Sequence, residues 1–255
     1  MMNNAAKIIN FQLSMFGEFS NISSDTSLII KLLSALQDKN FLPGTLNSAS
    51  VDVQTGKFTV NNKLQLYSPN KSWTISFLDN RIDFNYSYHE MDPRTWSIDS
   101  LIEYGGSLID NVFPVLNTDM KGNRLAVNSK MIFDDMTDEQ LDKIGKKLVP
   151  SPTEDYKKNY IDWRLSLNSQ EEILFPQDHK ETYNRILEIL KYNYFENSAP
   201  TQQRLPKKTM MISLDLNTLP QKMESRFTKD SLKYFSNKVR NFIENTVNSI
   251  TEGYL

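Results

Sequence analysis

Between Ser72 and Tyr88 the chain spells out two strands and the turn that joins them. Trp73, Ile75 and Phe77 alternate with polar residues, Ile82, Phe84, Tyr86 and Tyr88 do the same, and Asp79-Asn80 lies between the two runs. Apolar residues at a period of two share one face of an extended chain, so this segment is a hairpin with one side to bury. A two-stranded hairpin is marginal in water on its own. The remainder of the chain must therefore supply further strands and a layer that covers the apolar side.

Both are readable. Ile8 to Phe19 carries Ile9, Phe11, Leu13 and Met15 on one strand face, and after Ser23-Ser24-Asp25 the period changes. Leu28, Ile29, Leu32, Leu33 and Leu36 recur at helical spacing, and Pro43-Gly44 reads as the stop. Strand-like runs follow at Val51 to Asn61 and Lys63 to Ser68, with a turn at Asn61-Asn62, ahead of the hairpin. A helix from Ile98 to Leu116 then places Ile98, Leu101, Leu108 and Val112 on one stripe, with Gly105-Gly106 marking the close approach of another backbone.

The order then begins again. Asn123 to Phe133 alternates as a strand, and Thr137 to Lys147 is a short helix opened by the capping box Thr137-x-x-Gln140, with Met136 stapled onto Leu141. Strand-like runs recur at Tyr160 to Asn168, Glu171 to Phe175, Thr182 to Phe195 and Lys208 to Asn217. Ile186, Leu187, Ile189 and Leu190 also suit a short helix, and the repeated order selects strand. A last helix, Thr228 to about Thr251, bears a seam of Leu232, Phe235, Val239, Phe242 and Thr246, which suits either the core or a partner helix. The reading is an α+β fold of two similar β-α-β4-α halves, 1–121 and 122–255, in one integrated unit with antiparallel sheet and helices on one face.

The charge balance limits what such a fold can do. There are 29 Lys+Arg against 31 Asp+Glu, no Cys and two His. A net charge of −2 excludes bulk electrostatic affinity for nucleic acid or anionic lipid. Without Cys there is no disulfide framework, no thiolate nucleophile and no thiolate zinc site. The N-terminus lacks a signal-peptide pattern and no apolar run approaches a membrane span, so a cytoplasmic location and no membrane partner are expected.

The element order resembles the duplicated half-domain of the TATA-binding protein, whose sheet sits on DNA. That resemblance implies a saddle, and a minor-groove saddle needs a basic face. Residues 1–127 carry 10 basic and 12 acidic side chains, and residues 128–199 carry 10 and 14. A second resemblance lies in the strands Arg124-Leu-Ala-Val-Asn128 and Leu214-Asp215-Leu216-Asn217. They look like the corresponding strands of a sporadically distributed, uncharacterised bacterial protein family, with Val127 where an aromatic is usual and Asn217 in place of a second acid. The resemblance implies a bacterial protein and no particular reaction; an accessory role in a defence or toxin–antitoxin system goes with the family's sporadic distribution.

No reactive centre assembles in sequence. His89-Glu90-x-Asp92 reads as a solvated strand-to-helix turn, His179 as an exposed loop residue, and Asp138-Glu139 as acids favoured by a helix start. No phosphate loop or nucleophile elbow is present. Residues 200–255 carry 9 Lys+Arg against 5 Asp+Glu, enough to decorate a helix or meet an acidic partner. The polar positions that stand out are Arg124, Asn128, Asp215 and Asn217: the first two share one strand face, the last two share another, and adjacent strands would allow an Arg–Asp pair. The expectation is a non-catalytic binding or scaffold protein, without cofactor or metal, that meets another protein or a second copy through the sheet or the last helix. The alternatives are a hydrolase or transferase whose carboxylate/Arg site forms only in the fold, and a nucleic-acid saddle.

Overall fold

The computed structural model describes residues 6–22, 25–51, 58–89, 92, 94–117, 119–133, 136–149, 162–176, 179–194 and 207–254. In chain order these form β1 (Ala6–Phe16), α1 (Thr26–Ala35), β2 (Leu42–Val51), β3 (Phe58–Tyr67), β4 (Trp73–Leu78), β5 (Arg81–Ser87) and α2 (Ile98–Leu116). There follow β6 (Arg124–Phe133), α3 (Asp138–Leu148), β7 (Arg164–Phe175), β8 (His179–Tyr194), β9 (Lys207–Thr218) and α4 (Lys229–Tyr254). The strands make one nine-stranded antiparallel sheet in the order β2-β3-β4-β5-β1-β6-β9-β8-β7. The fold is α+β. Its sheet runs unbroken across the boundary at residues 121 and 122, because β1 pairs with β6 from Phe16↔Arg124 to Ala6↔Phe133.

All four described helices pack on the same side of the sheet. Phe11, Leu13 and Met15 of β1, Ile75 of β4, Phe84 of β5, Val127 of β6 and Leu216 of β9 are buried beneath them. Phe84 stacks on Phe113 of α2 at 6.2 Å between centroids, and Phe175 of β7 stacks on Phe235 of α4 at 6.4 Å. Trp163, just before β7, donates its indole N–H to Leu141 O of α3 at 3.1 Å. Burying each of these side chains is worth about 1.5–3 kcal/mol, so the apolar alternation that defines the strands also fixes which face the helices take.

Helix starts follow local chemistry. Asp25 caps α1 by accepting from Leu28 N at 2.9 Å. Thr137 and Gln140 make both bonds of the capping box on α3, at 3.2 and 2.8 Å. Thr228 and Ser231 do the same at the start of α4, and Phe227 and Leu232 are both buried there. The seam of α4 faces inward: Leu232, Phe235, Val239 and Ile243 are fully buried, while Phe242 is half-buried under the Arg185 guanidinium.

Several boundaries differ from the sequence reading. The second half contains three described strands after its first helix, not four, because Arg164–Asn168 of the expected run Tyr160–Asn168 and all of Glu171–Phe175 belong to one strand, β7, whose ladder with β8 is continuous from Arg164↔Leu190 to Phe175↔His179, while Tyr160 and Ile161 lie outside the described residues. Asn168-Ser169-Gln170 stays extended although polar, since β7 is an edge strand with both faces wet there. Pro43-Gly44 likewise lies inside β2, the opposite edge, where proline's missing donor costs no ladder bond. Asn61-Asn62 is inside β3 rather than a turn, and Val51 to Asn61 falls partly outside the described residues. On β1 an irregularity between Ile8 and Asn10 turns Ile8, not Ile9, to the core. Gly105 is crowded by the Leu13 and Trp73 side chains, not by backbone. A true backbone approach occurs at Gly122, where a Cβ would sit 2.5 Å from Phe16 O, and where the chain bridges to Phe227.

Candidate binding face of the sheet

The alternate residues of every strand point to the side away from the helices. On β5, β1, β6, β9 and β8 these include Asp83, Asn85, Asn10, Gln12, Ser14, Asn128, Asp215, Asn217 and Asn184. Their side chains bond to one another, both along a strand and across to its neighbour. Gln170 donates to Asn184 Oδ1 at 3.0 Å, Asn184 to Asn217 Oδ1 at 3.2 Å, and Asn217 to Asp215 Oδ1 at 2.9 Å. Across the centre, Asn10 donates to Asn85 Oδ1 at 3.0 Å, Gln12 to Ser14 Oγ at 2.9 Å, and Ser14 to Asp83 Oδ1 at 2.7 Å. Asn184 and Asn217 each accept on Oδ1 and donate from Nδ2, so the chain from Gln170 ends on the Asp215 carboxylate, as the chain from Gln12 through Ser14 ends on Asp83. Asp83 is further held by Arg81 at 2.8 Å.

The four polar positions singled out from sequence all lie on this face. β6 and β9 are neighbours, with Asn128 opposite Asp215 and Ala126 opposite Asn217. Asp215 and Asn217 bond each other as described. Arg124 does not reach Asp215: it stands four residues from the position that faces Asp215, about 13 Å along the strand. It packs instead over the Phe16 ring at 4.6 Å, opposite it on β1, and its Nε is buried with no hydrogen-bond partner. The strand adjacency is as the sequence reading required; the Arg–Asp ion pair does not form.

A second polar cluster escaped the sequence reading. Glu181 of β8 is buried on the helix side, with its side chain 1% exposed. Its Oε1 accepts from Arg226 Nε at 2.6 Å and contacts His179 Nε2 at 2.6 Å, and its Oε2 accepts from Lys222 at 3.1 Å and Arg226 Nη2 at 3.3 Å. Burial pushes this carboxyl up, and the bonds from Arg226, Lys222 and His179 outweigh burial, so it lies below its ordinary value. Arg226 also donates to Asn123 O, Lys222 O and Glu224 O. With four contacts on its two oxygens, Glu181 has no lone pair left to take a substrate proton. The cluster ties β8 and the β9–α4 connection to the start of β6. His179 is thus a strand residue in an ion cluster rather than an exposed loop; the only local hint was the alternation His179, Glu181, Tyr183.

The other histidine-bearing segment resolves differently. Asp92 is buried and accepts from Trp96 Nε1 at 2.9 Å and Arg94 N at 3.2 Å, which fixes the turn ahead of α2. Glu90 lies outside the described residues, as do Asp134 and Asp135. Asp138 pairs with Lys208 at 2.7 Å. Among the described residues no three His, Asp or Glu side chains come together as a metal site. Comparison of the chain with protein-family models, curated proteins and solved structures finds no match.

Proposed function

We propose that this chain is a non-catalytic binding protein that meets another protein through the helix-free face of its sheet. The observation that carries the reading is that face itself, with no described helix over it and paved with hydrogen-bonded amides and hydroxyls. The apolar seam of α4, the other surface suited to a partner, is spent on the core. Three cations of the face are matched by acids, Arg81 with Asp83, Arg164 with Glu188 and Lys180 with Glu172, which favours a polar protein surface over a nucleic-acid backbone.

Interfaces of this kind are wet and rich in hydrogen bonds. Among the described residues no helix is long and apolar enough to cross a membrane, and the reading keeps the cytoplasmic location expected from sequence. The test is affinity capture from the producing cells with three proteins: wild type, the face variant N128K/N184K, and N241K/N245K, which adds the same charge to exposed positions of α4. Proteins held by the wild type and the α4 variant but lost by the face variant support the reading. Equal retention by all three, or none by the wild type, rejects it. The identity of what is held also tests an accessory role in a defence system.

A further inference from the structure

The two edges of the sheet differ in what they offer a further strand. β2 carries Pro43, which has no N–H to give, and no charged residue. β7 has no proline, its ladder with β8 is continuous, and Lys191 N donates to Trp163 O at 3.1 Å just ahead of it. In an antiparallel ladder alternate residues exchange both backbone bonds with the neighbouring strand. Trp163 and every second residue after it therefore face β8, while Arg164, Ser166, Asn168, Gln170 and Glu172 turn N–H and C=O outward, with no further described strand beyond them. At Leu174 the outward run closes, because its carbonyl already accepts from Tyr234 Oη at 2.8 Å. The open stretch is Arg164 to Glu172, and its midpoint is Asn168.

The charges of this stretch sit at its two ends. Arg164 and Glu172 share one face, both are more than half exposed, and each holds one surface partner, Glu188 and Lys180. A second β7 laid antiparallel, with the two-fold axis at Asn168, sets Arg164 opposite Glu172 of the second copy, and does so twice. No like charges then stand directly opposite each other. Leu167, 51% exposed, falls diagonally across from Leu167 of the second copy. The same strand laid parallel, or a strand of uniform charge, meets a like charge at one end. The edge thus suits its own copy in one direction and one register.

We propose that two copies of this chain join edge to edge through β7, antiparallel and two-fold at Asn168, into one continuous sheet. Opposite residues of an antiparallel pair share a face, so both helix-free faces look the same way. The test is sedimentation equilibrium of the full chain and four variants. Asn168→Pro removes an outward N–H at the axis and no bond to β8; Arg164→Glu and Glu172→Arg each set like charges against one another; R164E/E172R restores the match. The wild type should dimerise with a dissociation constant of about 100 µM or tighter, as small interfaces do. Asn168→Pro should be monomeric with its urea midpoint little changed. Each single charge variant should weaken the dimer about tenfold, and the double variant should return it close to the wild-type value. If the charges mattered only through Glu188 and Lys180 of the same chain, the double variant would be the weakest of the three. That order, a wild type still monomeric at about 500 µM, or a dimer of unchanged strength in Asn168→Pro overturns the proposal.

Discussion

Asp92 and Glu181 are both carboxylates buried beside the aromatic clusters that seat the starts of α2 and α4, and they are held in opposite ways. Glu181 is enclosed by Arg226, Lys222 and His179, and Phe227, next to Arg226, packs on Phe175 at 5.3 Å. Asp92 is held mainly by neutral donors, the Trp96 indole and a backbone N–H, with an exposed Arg94 at 3.6 Å. The difference teaches where each side of the molecule has freedom. Around Glu181 the cations are consumed in joining β8, β6 and the approach to α4, so the cluster is a clamp. Around Asp92 the guanidinium stays in solvent and the neighbouring Trp73 N–H stays unmatched, so the turn is held without an enclosing shell of charge.

The largest way to break the comparison is to remove the central cation of the clamp. Arg226→Ala leaves Glu181 buried with too little compensation and should destabilise the protein by about 3–5 kcal/mol in urea unfolding. The matching change on the other side, Arg94→Gln, should shift stability by less than about 0.5 kcal/mol, because an exposed cation near an already satisfied carboxylate adds little. Comparable losses from the two would show that the two carboxylates are held alike.

Acid provides the next contrast. Glu181 and Asp92 both lie below their ordinary values of 4.5 and 3.8. A carboxyl whose folded value lies below its unfolded one contributes stability that is complete above the unfolded value and disappears as pH falls through the folded one. Unfolding midpoints should therefore drop on acidification below about pH 4.5, and Glu181→Gln should flatten that decline while lowering stability at neutral pH. A wild-type midpoint that stays level down to about pH 3 would contradict the clamp.

The smallest effect separates the tryptophans. Trp163→Phe loses the bond to Leu141 O, whereas Trp73→Phe loses no hydrogen bond in the free protein. The first should cost about 1 kcal/mol more than the second, read from thermal or urea midpoints. Equal costs would mean that the Trp73 indole N–H is satisfied after all.

How much of this was legible in the chain depends on the range of the interaction. The hairpin from Trp73 to Tyr88 and the helix starts at Thr137 and Thr228 follow from periods and caps within a few residues, whereas the local period of Ile186, Leu187, Ile189 and Leu190 suited helix and strand alike and only the repeated element order selected the strand that β8 is. Pro43-Gly44 and Asn168-Ser169-Gln170 misled because both lie on sheet edges, where water accepts residues that a central strand would reject. Parity placed Arg124 with Asn128 and Asp215 with Asn217 on one face, but parity does not fix register, and register sets Arg124 against Phe16 rather than Asp215. The clamp joins Glu181 to residues 41 and 45 positions away, and no local pattern records that distance. Trp73 showed itself as a core residue; its unmatched N–H depends on neighbours from three other segments.

The claim that the helix-free face is where the chain meets its partner is tested most directly by the side-chain amide resonances of that face. With the captured partner added to ¹⁵N-labelled protein, the NH2 signals of Asn10, Asn85, Asn128, Asn184 and Asn217 should shift or broaden together, while those of Asn241 and Asn245 on α4 stay in place. Movement at Asn241 and Asn245 with the sheet amides unchanged would put the partner on the helix layer and contradict the account.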